Sequence, residues 1–108
     1  MNESEFNALA ERIFAAIGEA IDDSDSDLDW TLNEGVLEIE CPDRSKLILS
    51  RHTPNRELWL AAKSGGYHYR SEGGEWRDMR SAETLPQRLA QALREQGGVE
   101  VALPALPG

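Results

Sequence analysis

The chain opens with apolar side chains at helical spacing. They follow the i, i+3, i+4, i+7 pattern of one buried stripe: Phe6, Leu9, Ala10, Ile13, Ile17, Ala20 and Ile21. Asn2 and Glu5 have the spacing of a capping box, so the helix is predicted to begin next to Asn2. Acidic side chains project away from the stripe and give this helix an acidic outer face: Glu3, Glu11, Glu19 and Asp22.

After residue 27 the apolar period changes to two. Leu28, Trp30 and Leu32 alternate with polar residues, as in a strand with one buried face. A predicted hairpin turn at residues 33–35 leads into a second alternating run that ends at Cys41. Further short runs are separated by turns that contain Gly, Pro or Asn: 46–49, 58–61, 67–70 and 76–77. Short strands joined by tight turns predict an antiparallel meander.

A second helix is predicted to close the domain. Thr84 and Gln87 form another capping box, and the glycines at 97 and 98 end the apolar stripe. The order helix, strands, helix predicts an α+β fold, a two-layer α/β sandwich. Both helices are expected to pack on one face of an antiparallel sheet of five to six strands. Residues 1–96 are predicted to form this single domain, and the Pro-rich segment 97–108 a flexible tail.

Composition fits one small domain with one core, since 40% of the 108 residues are hydrophobic. No apolar run approaches the length of a membrane span. The acidic N-terminus argues against a secretory signal or a transit peptide. Cys41 is the sole cysteine and has an inward position, which predicts an inert core thiol. We therefore expect a cytoplasmic protein.

The charge is concentrated in the first part of the chain. Residues 1–43 carry a net charge of −12, whereas residues 44–108 carry +3, within a total of −9. This balance disfavours nucleic-acid binding. A solvated acidic face would be sufficient for solubility alone. The concentration of acidic residues in one segment favours instead a surface that binds a target.

The densest acidic stretch follows the first helix. Asp23, Asp25, Asp27 and Asp29 are spaced by two, which in an extended chain places their carboxylates about 6.6–6.8 Å apart on one side. This separation is below the screening length of about 8 Å at physiological salt, so a cation or a basic partner would relieve the repulsion. Clustered carboxylates suit Fe, Mn, Ca or Mg ions, and the lack of His or Cys among them disfavours zinc and copper.

Other site types are poorly supported. The aspartates from Asp23, with Glu34 at the twelfth position, imitate a calcium-binding EF-hand loop. Leu28 stands where that loop requires glycine, and a strand follows where a helix is needed, so we reject this interpretation. His52 and His68 are the only histidines, and their spacing indicates no catalytic triad. No catalytic residue is predicted.

Trp59 is a candidate binding residue. If Leu58 and Leu60 point into the core, Trp59 points to the open face of the sheet, near Asn55. An outward Trp is a typical anchor for a protein partner. The alternative, in which a loop or a neighbouring side chain covers the ring, remains open. Trp30 has the inward register and is expected in the core.

Several segments together resemble the bacterial frataxins of the CyaY family. They are residues 1–6, the helix end Asp22-Asp23 with the alternating aspartates, and the segments 33–37, 53–61 and 65–69. The resemblance runs from residue 1 to about residue 96. Asn7 departs from it, because bacterial relatives often carry a histidine ligand there, and any tight metal site using that residue is in doubt.

The resemblance implies an iron-binding accessory protein or regulator of iron–sulfur cluster assembly that is not an enzyme. It implies weak binding of Fe²⁺ or Fe³⁺, with other divalent cations possible, at several carboxylates: Glu3, Glu11, Glu19, Asp22, Asp23, Asp25, Asp27 and Asp29. It further implies docking to a cysteine desulfurase, and to the iron–sulfur scaffold protein, through Asp22, Asp23, Asp25, Asn55 and Trp59. A monomer in the bacterial cytoplasm, with oligomers in the presence of iron, is expected.

Two other classes stay open from the residues themselves. An acidic interaction protein could imitate DNA or inhibit a basic partner. A metal-dependent hydrolase would need a defined metal site, for which the sequence gives no ligand set beyond the acidic stretch.

Overall fold

The computed structural model describes residues 1–107 and confirms the predicted α+β sandwich. Its elements are α1 (Glu3–Asp23), β1 (Asp29–Asn33), β2 (Val36–Glu40), β3 (Lys46–His52), a 3-10 turn (Thr53–Asn55), β4 (Glu57–Ala62), β5 (Gly65–Glu72), β6 (Glu75–Asp78) and α2 (Leu85–Gly97). The six strands form one antiparallel sheet in chain order. Within residues 1–107, neither helix is long and apolar enough to cross a membrane.

Both helices begin at the capping boxes that the sequence predicts. The Oδ1 atom of Asn2 accepts from the backbone N–H of Glu5 at 2.8 Å, and the Glu5 carboxylate accepts in return from the Asn2 N–H at 2.9 Å. Thr84 and Gln87 make the equivalent pair at α2. The caps satisfy backbone donors that have no partner within a helix.

The core lies between the helices and the inward face of the sheet. The predicted apolar stripe of α1 is buried except for Ala20, which is half-buried. Alternate strand residues complete the core: Leu37, Ile39, Leu47, Leu49, Leu58, Leu60, Tyr69 and Trp76. Cys41 is 2% exposed, and burial raises the pKa of its thiol. This agrees with the prediction of an inert core cysteine.

The segment after α2 contacts the core. Val101 and Leu106 are buried, and the indole N–H of Trp76 donates to the carbonyl oxygen of Pro107 at 2.7 Å. Apolar side chains of this segment thus cover an edge of the core, a packing that the expectation of a flexible tail did not include. Mobility of residues 97–108 in solution stays a prediction, and Gly108 lies outside the described residues.

Candidate functional site

The eight carboxylates predicted as metal ligands lie along one side of α1, the following turn and the start of β1. We call them the acidic ridge: Glu3, Glu11, Glu19, Asp22, Asp23, Asp25, Asp27 and Asp29. All are exposed except Glu11, which is half-buried. The last turn of α1, which ends at Asp23, contains no basic residue. The negative end of the helix dipole therefore lies beside carboxylates and is not offset by a cationic side chain of that turn.

Two members of the ridge have cationic partners within the protein. The guanidinium of Arg51, on β3, donates from Nη1 to Oε1 of Glu11 at 3.2 Å. Arg56, which follows the 3-10 turn, places Nη1 4.0 Å from Oε2 of Glu3. The part of the ridge nearest the N-terminus is therefore partly neutralised by the fold itself.

The other six carboxylates differ in this respect. No lysine or arginine among residues 1–107 forms an ion pair with any of them. We call this set the acidic end: Glu19, Asp22, Asp23, Asp25, Asp27 and Asp29. Its negative charge is left uncompensated, which favours attraction of an external cation or a basic surface.

The regular spacing predicted for the aspartates is wrong. Asp23 is the last residue of α1, and Asp25 has a left-handed backbone with φ of 50°, so the run is not extended through Asp23 and Asp25 and β1 begins only at Asp29. Ser24 drives this turn, because its hydroxyl donates to the carbonyl oxygen of Ile21 at 2.6 Å and ends the helix. The strand after the turn agrees with rejection of an EF-hand.

The acidic end is an open surface cluster of carboxylates. Among the described residues, no group of three or more His, Cys, Asp or Glu side chains is arranged to hold a metal. The carboxylate oxygens are hard donors of the kind that bind iron and other divalent cations through few ligands, with water completing the shell.

Trp30 joins the acidic end to the sheet. Its inward position on β1 is confirmed, but the ring is only partly buried, and its indole N–H donates to Oδ1 of Asp22 at 2.9 Å. The ring lies across α1 at Gly18, where an added Cβ would come within 2.6 Å of Trp30 Cζ2. A helical glycine costs about 1 kcal/mol relative to alanine, and the approach of the indole explains its presence.

Trp59 lies on the open face of the sheet, as predicted, and is covered by neighbouring side chains. His52 stacks on one side of the indole with ring centroids 4.2 Å apart, and His68 on the other at 4.3 Å. The ring planes are within 8° of parallel. We call these three residues the stacked face. Only the edge of the indole is left for a partner to contact.

A buried carboxylate holds the stacked face in place. Oε1 of Glu57 accepts from the Trp59 indole N–H at 2.9 Å, and Oε2 accepts from Nε of Arg70 at 2.8 Å. The Glu57 side chain is 7% exposed. Burial acts to raise the pKa of Glu57, but the hydrogen bonds from Trp59 and Arg70 outweigh it, and the pKa lies below its ordinary value.

No role for His52 and His68 was predicted from the sequence, although their register could have indicated one. Trp59 pairs with His68 across β4 and β5, and His52 lies two positions from Ser50, the partner of Trp59 on β3. Strand alternation places all three rings on the same face. The turn lengths that fix this register are harder to predict.

Asn55 and Asn7 occupy different places near the 3-10 turn. Asn55 is exposed and lines a hollow with Arg56 and Arg70. Asn7, on α1, accepts from the hydroxyl of Thr53 at 2.8 Å, so its amide ties the helix to the turn. Asn7 therefore has a structural contact at the position where the resemblance implied a metal ligand.

A groove of about 540 Å³ lies between α1 and the C-terminal segment. Glu19 and Asp23 of the acidic end line it together with Glu100, and Ala16 and Leu103 contribute apolar surface. The sequence did not indicate Glu100 as part of this surface, because the segment that carries it was expected to be a flexible tail.

Known proteins match both this fold and this chain. A family model for the frataxin-like domain matches residues 1–99. The chain belongs to the frataxin-like family. It is 46% identical over 104 residues to the iron–sulfur cluster assembly protein CyaY of Dechloromonas aromatica (strain RCB), covering 95% of this chain and 99% of that protein. The predicted family is thereby confirmed.

Solved structures of frataxins have the same fold. Frataxin from Psychromonas ingrahamii aligns with a TM-score of 0.88 and 36% identity, over 94% of this chain and 96% of that one. The trimeric frataxin of the yeast Saccharomyces cerevisiae, complexed with ferrous iron, aligns with a TM-score of 0.71 and 22% identity, over 83% of this chain and 86% of that one. At that identity the yeast protein supports the fold alone.

Proposed function

We propose that this protein is an iron-binding accessory protein and regulator of iron–sulfur cluster assembly, without catalytic activity of its own. Family membership and the 46% identical cluster assembly protein support the pathway. The observation that carries the proposal within this chain is the acidic end, which has no basic partner among residues 1–107. The protein acts as a monomer in the bacterial cytoplasm and forms oligomers with iron.

Iron binds to the acidic end weakly and at several places. Exposed carboxylates coordinate Fe²⁺ and Fe³⁺ through hard oxygens, and Mn²⁺ and other divalent cations compete for the same atoms. Glu3 and Glu11 contribute less, because Arg56 and Arg51 already neutralise part of their charge. Iron is either delivered by the protein or regulates it, so a weak site that releases its ion suits the function.

Protein partners bind to the two surfaces by different means. The acidic end, through Asp22, Asp23 and Asp25, docks to a basic surface of a cysteine desulfurase, with association that is fast and sensitive to salt. The open sheet face contacts the scaffold protein through Asn55 and the edge of Trp59. The fixed position of Trp59 between two histidines limits the entropy lost on binding.

Charge reversal tests the docking. The variant Asp22→Lys, Asp23→Lys, Asp25→Lys is expected to abolish binding to purified cysteine desulfurase, measured by isothermal titration calorimetry at low and physiological salt. A matched control reverses exposed glutamates at other places, Glu34, Glu72 and Glu95, with the same change in net charge. Equal binding by the ridge variant and the control would refute docking through the acidic end.

A second candidate function is an acidic interaction protein that imitates DNA or inhibits a basic partner. The uncompensated acidic end favours it as well, since any complementary basic surface would be attracted. A pull-down from a bacterial extract, read by mass spectrometry, separates the two. Recovery of the desulfurase supports cluster assembly, whereas recovery of a DNA-binding protein that DNA displaces supports the alternative.

A further inference from the structure

Glu57 fixes two side chains of the open sheet face at once. Its Oε1 accepts from the Trp59 indole N–H at 2.9 Å, and its Oε2 accepts from Nε of Arg70 at 2.8 Å. The Glu57 side chain is 7% exposed, whereas that of Arg70 is 52% exposed. A buried carboxylate therefore holds an arginine that reaches solvent beside a fixed tryptophan. Tryptophan and arginine often dominate the affinity of protein interfaces, and side chains fixed in advance lose less entropy on binding.

Arg70 lies opposite a second arginine in the sheet. In the register of β5 and β6 its direct partner is Arg77, and strand alternation places both on the same face as Trp59. Like charges directly opposite each other in a sheet oppose folding. The ion pair with Glu57 uses Nε of Arg70, and the Nη groups of Arg70 form no ion pair within residues 1–107. An anion bound at these Nη groups would relieve the repulsion between the two arginines.

Two hollows border Arg70 and give the side chains of a partner room to approach it. One, of about 430 Å³, extends to Asn55 and Arg56, and the other, of about 420 Å³, extends to His68 and Arg80. Arg80 is exposed and forms no ion pair with any carboxylate of residues 1–107. Each hollow thus contains a second arginine in addition to Arg70.

The acidic side chains near Arg70 are buried or lie at the end of the β5–β6 hairpin. Glu57 and Asp78 are buried. Glu72 and Glu75 flank the hairpin turn, and Glu75 already pairs with Arg77. Apart from Glu57, none of these carboxylates forms an ion pair with Arg70 in the described part of the chain. A carboxylate on the exposed side of the Arg70 guanidinium therefore has to come from another molecule.

We propose that Arg70 binds a carboxylate of the protein partner that occupies the open sheet face, while the edge of Trp59 contacts an apolar side chain beside it. The occupant is thus a protein segment in which an acidic residue lies next to an apolar one. The planar guanidinium matches the two oxygens of a carboxylate, which makes this contact directional as well as attractive. The inference rests on the proposed contact with the scaffold protein and specifies the chemistry of that contact.

Binding of the purified scaffold protein to the unmodified protein and to Arg70→Gln tests the proposal. Glutamine removes the charge but keeps an N–H donor for Glu57, and we expect the affinity from isothermal titration calorimetry to fall about tenfold. The difference should shrink at high salt. Arg44→Gln makes the same charge change at an exposed residue between β2 and β3 that forms no ion pair within residues 1–107, and it should leave the affinity unchanged.

Substitutions in the scaffold protein identify the carboxylate. Its exposed Asp and Glu residues are changed one at a time to Asn or Gln, and each variant is titrated against the unmodified protein and against Arg70→Gln. Loss of the carboxylate that contacts Arg70 should weaken binding to the unmodified protein about tenfold and have little effect on binding to Arg70→Gln. A purely structural role of Arg70 would give no such coupling. The near-ultraviolet circular dichroism of Trp59 checks that the indole keeps its position in Arg70→Gln.

The outcomes distinguish this inference from the proposed function. If Trp59→Ala weakens binding and Arg70→Gln does not, the contact at the open face stands and the inference is overturned. It is also overturned if Arg70→Gln weakens binding but couples to no carboxylate of the scaffold protein, because Arg70 then acts through the fold alone. If the unmodified protein does not bind the scaffold protein, the proposed contact fails and the inference fails with it.

A second copy of this chain is the other occupant to be tested. Sedimentation velocity of the unmodified protein and of Arg70→Gln, each without a partner, measures self-association. Self-association that Arg70→Gln abolishes would assign Arg70 to a contact between copies and overturn the inference. A monomer in both cases, together with coupling to one scaffold carboxylate, supports it.

Discussion

The acidic end and the stacked face use similar side chains in opposite ways. At the acidic end, carboxylates are exposed and form no ion pair with a lysine or arginine of residues 1–107, so their charge acts outward over several ångströms. At the stacked face, Glu57 is buried and both of its oxygens have donors, so its charge is used internally to fix Trp59. One surface carries charge that acts over a distance, and the other presents a fixed shape at contact range.

The two surfaces should therefore differ in their cost to folding. A buried carboxylate with two donors stabilises the fold only while its partners are present, and its removal leaves them unsatisfied. An exposed cluster of like charges opposes folding through repulsion and through the helix dipole. Mutations on the two surfaces are expected to change stability in opposite directions.

The largest effect is expected at Glu57. Glu57→Ala leaves the Trp59 indole N–H and the Arg70 guanidinium without their acceptor, and we expect a loss of about 1–3 kcal/mol in the free energy of unfolding. Urea denaturation measures it, with exposed Glu72→Ala on the neighbouring strand as the control. Equal stability of the two variants would show that Glu57 does not hold the stacked face.

The same carboxylate predicts a dependence on pH. Because the pKa of Glu57 is lowered in the folded state, its ionised form stabilises the fold above the ordinary glutamate pKa of about 4.3, and this contribution is lost as pH falls through the lower folded value. The stability difference between the unmodified protein and Glu57→Gln should be largest near neutral pH and shrink on acidification. Urea denaturation at a series of pH values measures it, and a difference that grows towards acid would contradict the assignment.

The histidines of the stacked face are expected to contribute less. His52→Ala and His68→Ala each remove one stacked ring from Trp59, and aromatic pairs contribute about 0.5–1.5 kcal/mol beyond their buried area. Loss of the near-ultraviolet dichroism of Trp59 should accompany the change in unfolding free energy. Since both rings stack on the same indole, the double variant should depart from additivity by about 0.5 kcal/mol or more, and strict additivity would argue that the two stacks are independent.

The sequence predicted the fold well because its information is local. Capping boxes fixed the start of both helices, and alternation in β2 and β4 identified the inward residues. The predictions failed where the structure depends on turn geometry or on contacts between residues far apart in the chain. The turn at Ser24 and Asp25 broke the predicted spacing of the aspartates, and the pairing of Glu11 with Arg51 requires the packing of α1 on β3.

The candidate site was predictable in part for the same reason. The acidic residues are evident in the sequence, but their division into neutralised and uncompensated members depends on which strands carry arginines to the helix. Trp30 could not be linked to Asp22 without knowing that Gly18 admits the indole. A mid-helix glycine between acidic positions is the one local signal that could have indicated a close-packed ring there.

The smallest change in stability is expected at the acidic end, and it should be a gain, opposite in sign to the losses expected at the stacked face. Asp23→Asn removes an anion from the C-terminal turn of α1 and from the field of its neighbours, so the free energy of unfolding should rise by about 0.3–1 kcal/mol at low ionic strength. Salt screens both interactions, so the gain should shrink in urea denaturation at high salt. If Asp23→Asn instead lowers the free energy of unfolding, Asp23 makes a stabilising contact and the acidic end does not oppose folding.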